Sequence, residues 1–169
     1  EDATNKFAYN KRRRYLLGGQ MDSVMNYPWR TAILEYVKNG DEKQFNDRLI
    51  SIMENYPPHV LYSLMNIAGT HDTPRIKTVL GGKYAPDNLG DIDKWNFALS
   101  EKEETLAIER VKLMAFMQMT FMGVPCIYYG DEAGLKGGKD PDNRRPYPWG
   151  RENKKLQAYC RAFIQLRKK

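Results

Sequence analysis

The chain has 169 residues, of which 41% are hydrophobic and 28% charged, a balance that suits one globular domain and excludes a disordered polymer. Its net charge of +6 raises the question of nucleic acid, but the bases cluster at the ends, in Lys11 to Arg14 and Arg167 to Lys169, with near balance between. Clusters of that kind, with no basic face carrying interleaved aromatics, read as solvated helix surface, so neither nucleic acid nor a membrane is expected as a partner.

In chain order, "FAYNKRRRYLL" (7–17) predicts a short helix stopped by Gly18 and Gly19. "MDSVMNY" (21–27) predicts a short strand, and the proline after it fits the first turn of a helix over "WRTAILEYV". Asp41 with Gln44 resembles a capping box that opens a second helix. Phe45, Leu49, Ile52, Met53 and Tyr56 recur along it at helical spacing and predict one buried face. The prolines of "PPHVLYSLMNI" argue against helix, so "VLYSLM" reads as a second, buried strand.

"GTHDTPR" follows, with His71 and Asp72 side by side, and then the Gly-, Asp- and Asn-rich "GGKYAPDNLGDIDKWNF". That stretch is too long for an idle connector and predicts a binding loop. Ser100 and Glu103 form a capping box for a long helix, apolar on nearly every side from Val111 to Met122 and so expected in the interior. "VPCIYY" is the third predicted strand. A second loop, "GDEAGLKGGKDPDNRRPYPWGREN", leads to a final helix striped by Leu156, Tyr159, Cys160, Phe163 and Ile164. Cys126 and Cys160 lie in apolar surroundings without metal-ligand spacing and read as buried free thiols. No signal peptide or membrane-spanning run is visible. Alternating strands and helices predict an α/β class with parallel strands, and both glycine-rich loops follow strand ends, where such folds bind ligands.

Four stretches, "MDSVMNYPWR", "GTHDTPR", "GVPCIYYGDEAG" and "DPDNRRPYPW", resemble glycoside hydrolase family 13, the α-amylase family, in family order and at family-like separations. The likeness is greatest to its neopullulanase, cyclomaltodextrinase and maltogenic amylase branch. The resemblance implies a TIM (β/α)8 barrel, of which this chain would hold the last three βα units, strands six to eight with their helices. A full barrel needs about 200 residues or more. Residues 1–169 are therefore expected to be the C-terminal portion of one catalytic domain, with no second domain.

The same resemblance implies a retaining hydrolase of cyclomaltodextrin, pullulan or maltooligosaccharides that uses no cofactor and no metal in this segment. Such enzymes need a nucleophile and an acid/base, two carboxyl groups about 5 Å apart. In this family both follow earlier strands, and neither has a match in the chain, which on its own is expected to be inactive. Asp72 matches the family's third carboxylate, which binds hydroxyls of the distorted sugar ring, and His71 matches its hydrogen-bonding neighbour. The local alternative is a loop cap, with Asp72 accepting from nearby N–H groups. Asp140 and Arg144 match a pair that binds glucose units further toward the non-reducing end. Their alternative is an ion pair that merely orders the loop.

Arg75, Asp142 and Arg145 are weaker candidates. Asp131 and Glu132 read as a strand-end pair that holds the loop, Tyr147 and Trp149 as aromatics packed beneath it, with stacking on sugar rings as their alternative, and His59 has no assigned role. The partner expected by resemblance is an α-glucan oligosaccharide; the raw strand edges of a partial barrel predict self-association or docking on the missing half, and the expected location is the cytoplasm. The alternative is a non-catalytic relative that keeps the barrel for carbohydrate or protein binding.

Overall fold

A computed structural model describes residues 7, 8, 10–12, 14–82 and 90–169, so part of the first predicted loop (83–89) lies outside the described residues. The chain divides into two compact units, one of residues up to Ile67 with Thr120–Cys126, the other of Ala68–Met119 with Ile127–Lys169.

In the first unit, the predicted opening helix is replaced by a small hairpin. Strands β1 (Phe7–Ala8) and β2 (Lys11–Arg12) pair antiparallel. Asn10 makes the reversal with φ of 58°, a left-handed conformation that asparagine tolerates better than most residues. The predicted first strand shrinks to one parallel bridge, Met25 to Met65. Helix α1 (Tyr27–Asn39) starts as expected with Pro28 in its first turn. Its N-cap is Asn26, whose Oδ1 accepts from Trp29 N–H at 3.2 Å. Trp29, Ile33 and Val37, spaced four apart, are buried with Ala32 and Leu34. Helix α2 (Glu42–Asn55) is capped by Asp41, as the box predicts, with Gln44 N–H donating at 2.9 Å. Its predicted stripe is only partly interior: Ile52 and Tyr56 are buried, Phe45 stacks on Tyr36 at 4.5 Å, and Met53 faces out.

The predicted strand "VLYSLM" is a correction. Pro58–Leu61 forms a helical turn, α3, and strand β3 covers Met65–Ile67. Proline blocks a helix interior but suits its first position, and that second preference decides here. β3 pairs in parallel with β4 (Val124–Cys126), in the register Met65 to Val124 and Ile67 to Cys126. Parallel pairing agrees with the predicted α/β class, although the strands are few and short. Two buried asparagines lock this sheet. Asn26 Nδ2 donates to Asn66 Oδ1 at 3.0 Å, and Asn66 Nδ2 donates to the Met122 carbonyl at 2.7 Å. One polar chain thus ties the start of α1 to β3 and to the turn before β4.

In the second unit, α4 (Ile76–Gly81) runs up to the first residue of the predicted first loop, and α5 (Asp91–Asn96) lies within it. Helix α6 (Glu101–Thr120) opens with the full capping box: Ser100 N–H donates to Glu103 Oε2 at 2.9 Å, and Glu103 N–H donates back to Ser100 Oγ at 3.4 Å. It is not buried all round. Ala107, Val111, Met114 and Ala115 face inward, while Leu106, Leu113 and Phe116 lie on the exposed side. Helix α7 (Lys154–Arg167) buries Leu156 and Cys160, and its Phe163 meets Phe116 edge-on at 5.3 Å. Among the described residues no helix is long and apolar enough to cross a membrane.

Candidate functional site

All four predicted site residues lie in the second unit, on two loops nearly seventy residues apart in sequence. The first loop runs from Thr70 to Arg75. Its turn is tied internally, with Thr70 N–H donating to Thr73 Oγ1 and Asp72 N–H donating to Thr70 Oγ1, both at 3.2 Å. The second loop holds a 3-10 turn, Asp142–Arg144, preceded by a cis Asp140–Pro141 peptide.

These loops bring the four residues into one cluster. Arg144 Nε lies 2.9 Å from Asp140 Oδ1 and donates to the His71 carbonyl at 3.2 Å. Arg144 Nη2 is 3.8 Å from Asp72 Oδ1, and His71 Nε2 is 3.3 Å from the same oxygen. Their side chains are 48–60% exposed. Exposed pairs of this kind contribute only about 0–1 kcal/mol each. The cluster is therefore not what holds the loops together.

The loops are held by buried groups beneath it, most of which the sequence did not reveal as such. Asn143, at 0% exposure, donates from Nδ2 to the carbonyls of His71 at 2.6 Å and Thr73 at 3.1 Å. Arg75 is equally buried, with its guanidinium against the rings of Tyr128 and Tyr129, 4.2 and 4.5 Å from their centroids. Its Nη1 donates to the Tyr129 carbonyl and reaches Asp131 Oδ1 at 3.4 Å. Gly69 permits this, because a Cβ there would overlap the Asp131 carboxylate. Arg145 Nε donates to Asp142 Oδ1 at 2.6 Å, and Gly138 N–H donates to Asp142 Oδ2 at 2.5 Å.

So the weaker candidates Arg75, Asp142 and Arg145 belong to the buried frame, and Asp131 holds the loop as predicted. Gly137 closes the frame: its N–H donates to Thr78 Oγ1 at 3.0 Å, and its carbonyl accepts from Arg75 N–H at 3.0 Å. A Cβ on Gly137 would stand 2.5 Å from the Asp142 carbonyl oxygen. Trp149 departs from expectation. It is 80% exposed, with Tyr147 4.5 Å away, rather than packed under the loop.

Chemically, the cluster offers two exposed carboxylates that accept and an imidazole and a guanidinium that donate, on a surface braced from below. That set suits a neutral ligand rich in hydroxyl groups, which both donate and accept. Among the described residues no group of three or more His, Cys, Asp or Glu side chains is placed to hold a metal ion. Lys136, nearby in the same unit, has its amine pKa lowered by burial, then by the positive charges of Arg145 and Lys77, and it donates to the Phe97 carbonyl at 2.7 Å.

Residues 4–168 match the family model for the alpha amylase catalytic domain. The chain is 43% identical over 164 residues to an amylopullulanase of Thermoanaerobacter thermohydrosulfuricus, covering 90% of this chain and 10% of that enzyme. It is 37% identical over 158 residues to a cyclomaltodextrinase of Geobacillus thermopakistaniensis (strain MAS1), covering 91% and 23%. A solved cyclomaltodextrinase structure superposes with a TM-score of 0.71 at 32% identity, covering 90% of this chain and 23% of that one. The chain thus spans a tenth to a quarter of the length of these relatives.

Proposed function

Since the chain belongs to the alpha-amylase catalytic-domain family, an α/β-barrel family, we propose that it is the C-terminal portion of a retaining glycosidase barrel acting on α-glucans. In this reading residues 1–169 supply strands six to eight with their helices. They carry the sugar-holding cluster but neither the nucleophile nor the acid/base. Two features support the reading as part of a barrel: the parallel pairing of β3 with β4, and the fraction of each relative that the chain spans.

One observation carries the functional reading. Asp72, His71, Asp140 and Arg144 converge from two loops onto one exposed surface, while their neighbours Arg75, Asn143 and Arg145 are buried beneath it. Asp72 would accept hydrogen bonds from the hydroxyls of the sugar being cleaved, most strongly when the ring flattens toward the oxocarbenium-like transition state. His71 would donate to the same sugar. Asp140 and Arg144 would bind the glucose units further toward the non-reducing end. No cofactor is needed, and the natural partners are an α-glucan and the remainder of the barrel, or a second copy of the chain in its place.

The test is reducing-sugar release from cyclodextrin, pullulan and soluble starch by the purified 169-residue chain. Without a nucleophile and an acid, the glycosidic oxygen is not protonated and the first displacement cannot start. No release over a day is expected. Sustained turnover that disappears in Asp72→Asn would show that the chain carries a complete active site, and would overturn the assignment.

A further inference from the structure

We infer that Asn143 is a positioning residue, which sets the direction of His71 and Asp72 by holding the two backbone carbonyls that bracket Asp72. The inference rests on the reading of the cluster as a glucan site.

The Asn143 amide has two N–H bonds, and its Nδ2 lies 2.6 Å from the His71 oxygen and 3.1 Å from the Thr73 oxygen. Holding the carbonyls of the residues on either side of Asp72 restrains the backbone between them, and with it the direction of the Asp72 Cα–Cβ bond. The amide cannot be turned over, since Oδ1 would then face two acceptors. In the observed orientation Oδ1 is buried without a hydrogen-bond partner. An apolar side chain would avoid that orphan acceptor, so what the carboxamide adds is its grip on the two carbonyls.

Arg144 also donates to the His71 oxygen, but it is half-exposed and shared with Asp140. It can turn toward a ligand and let go. Asn143 is fully buried, so a ligand on the surface does not compete for its hold. Its own turn is anchored by the Gly138 and Arg145 bonds to Asp142, and gives a firm base for a two-pronged donor.

The test uses the isotope-labelled full chain, NMR, and maltoheptaose as the probe. In the unaltered chain the Asn143 side-chain N–H signals should exchange slowly with water. They should also shift when maltoheptaose is added, although the residue is buried. Asn143→Asp keeps the shape but sets an acceptor against two acceptors. It should split or broaden the amide signals of Thr70 to Thr73 and weaken maltoheptaose binding at least fivefold. Leu156→Ala, which damages the α7 core in the same unit, controls for general loss of stability. It should lower the melting temperature yet leave the loop signals and the affinity near those of the unaltered chain.

Wild-type loop signals and affinity in Asn143→Asp overturn the inference, as does an equal loss in Leu156→Ala. If Asn143→Asp does not fold, the unaltered chain decides, and rapidly exchanging Asn143 signals overturn the inference. If the unaltered chain fails to bind maltoheptaose, the glucan reading falls, and the Thr70–Thr73 signals of the two variants still decide the positioning role.

Discussion

Asp72 and Arg75 stand three residues apart and meet opposite fates. The Asp72 carboxylate is 59% exposed, with His71 and Arg144 at its edge, whereas the Arg75 guanidinium is fully enclosed. The energetic consequences differ accordingly. Asp72→Asn should change the unfolding free energy by less than about 0.5 kcal/mol, as expected of an exposed position. In the longer glycosidase proposed above, the same change should lower kcat on the order of 100-fold, with KM nearly unchanged, because the contact would tighten in the transition state. A change in KM alone would reduce Asp72 to an ordinary binding residue. Arg144→Ala should mainly raise KM for longer maltooligosaccharides.

Arg75→Ala, by contrast, strips the buried Asp131 of a counter-charge. It should cost about 3–5 kcal/mol, the usual penalty for breaking a buried pair, seen as a lower urea midpoint. An unchanged midpoint would contradict the role of Arg75 in the frame. The sequence made His71, Asp72, Asp140 and Arg144 visible, because a resemblance points to residue types at motif positions. It could not separate Arg144 from Arg145. Arg144 ends the 3-10 turn and Arg145 is the extended residue that caps it, so the two adjacent arginines meet different surroundings, one half-exposed and the other enclosed beside Asp142.

At the scale of elements, caps and helix stripes were legible and short strands were not. Asp41 and Ser100 cap as their boxes predict, because a side-chain oxygen near a free N–H is a local interaction. "VLYSLM" could be strand or helix by its apolar run alone, since periodicity does not separate the two over so few residues. Asn26 went unnoticed because its second partner, Asn66, is forty residues away. That partner should be measurable. Asp41→Ala removes only an exposed cap and should cost about 1 kcal/mol. Asn26→Ala also leaves Asn66 buried with one bond fewer, and should cost about 1–3 kcal/mol more. Equal losses in urea unfolding would mean that the buried asparagine chain adds nothing.

The Cys160 thiol on α7 offers a second check. Burial pushes its pKa up to about 11, above the usual thiol value. The folded state therefore favours the protonated thiol. Its contribution to stability is complete below about pH 8.5 and is lost as pH rises toward 11. Since only the thiolate reacts, iodoacetamide at pH 8 should modify the less buried Cys126 well before Cys160, which should label only on unfolding. Equal labelling rates in the folded chain would contradict the buried setting of Cys160.

At the scale of the molecule, the two units each expose large apolar side chains: Tyr62 and Val124 in one, Ile92, Trp149 and Leu166 in the other. Parallel strands also present hydrogen-bonding edges that invite a further strand. The purified chain should therefore self-associate, with a light-scattering mass that rises with concentration, and a monomer at all micromolar concentrations would count against it. The α/β class and parallel pairing could be read from the order of elements. The division into two units could not, because β3 and β4 pair across 56 intervening residues that belong mostly to the other unit.

The central claim, that the cluster on the two loops of the second unit holds an α-glucan, is tested most directly by calorimetric titration of maltoheptaose into the purified chain. Saturable binding is predicted, weakened at least tenfold when Asp140→Ala and Arg144→Ala are combined, with the melting temperature little changed. No binding by the unaltered chain, or the same affinity in the double variant, would contradict it.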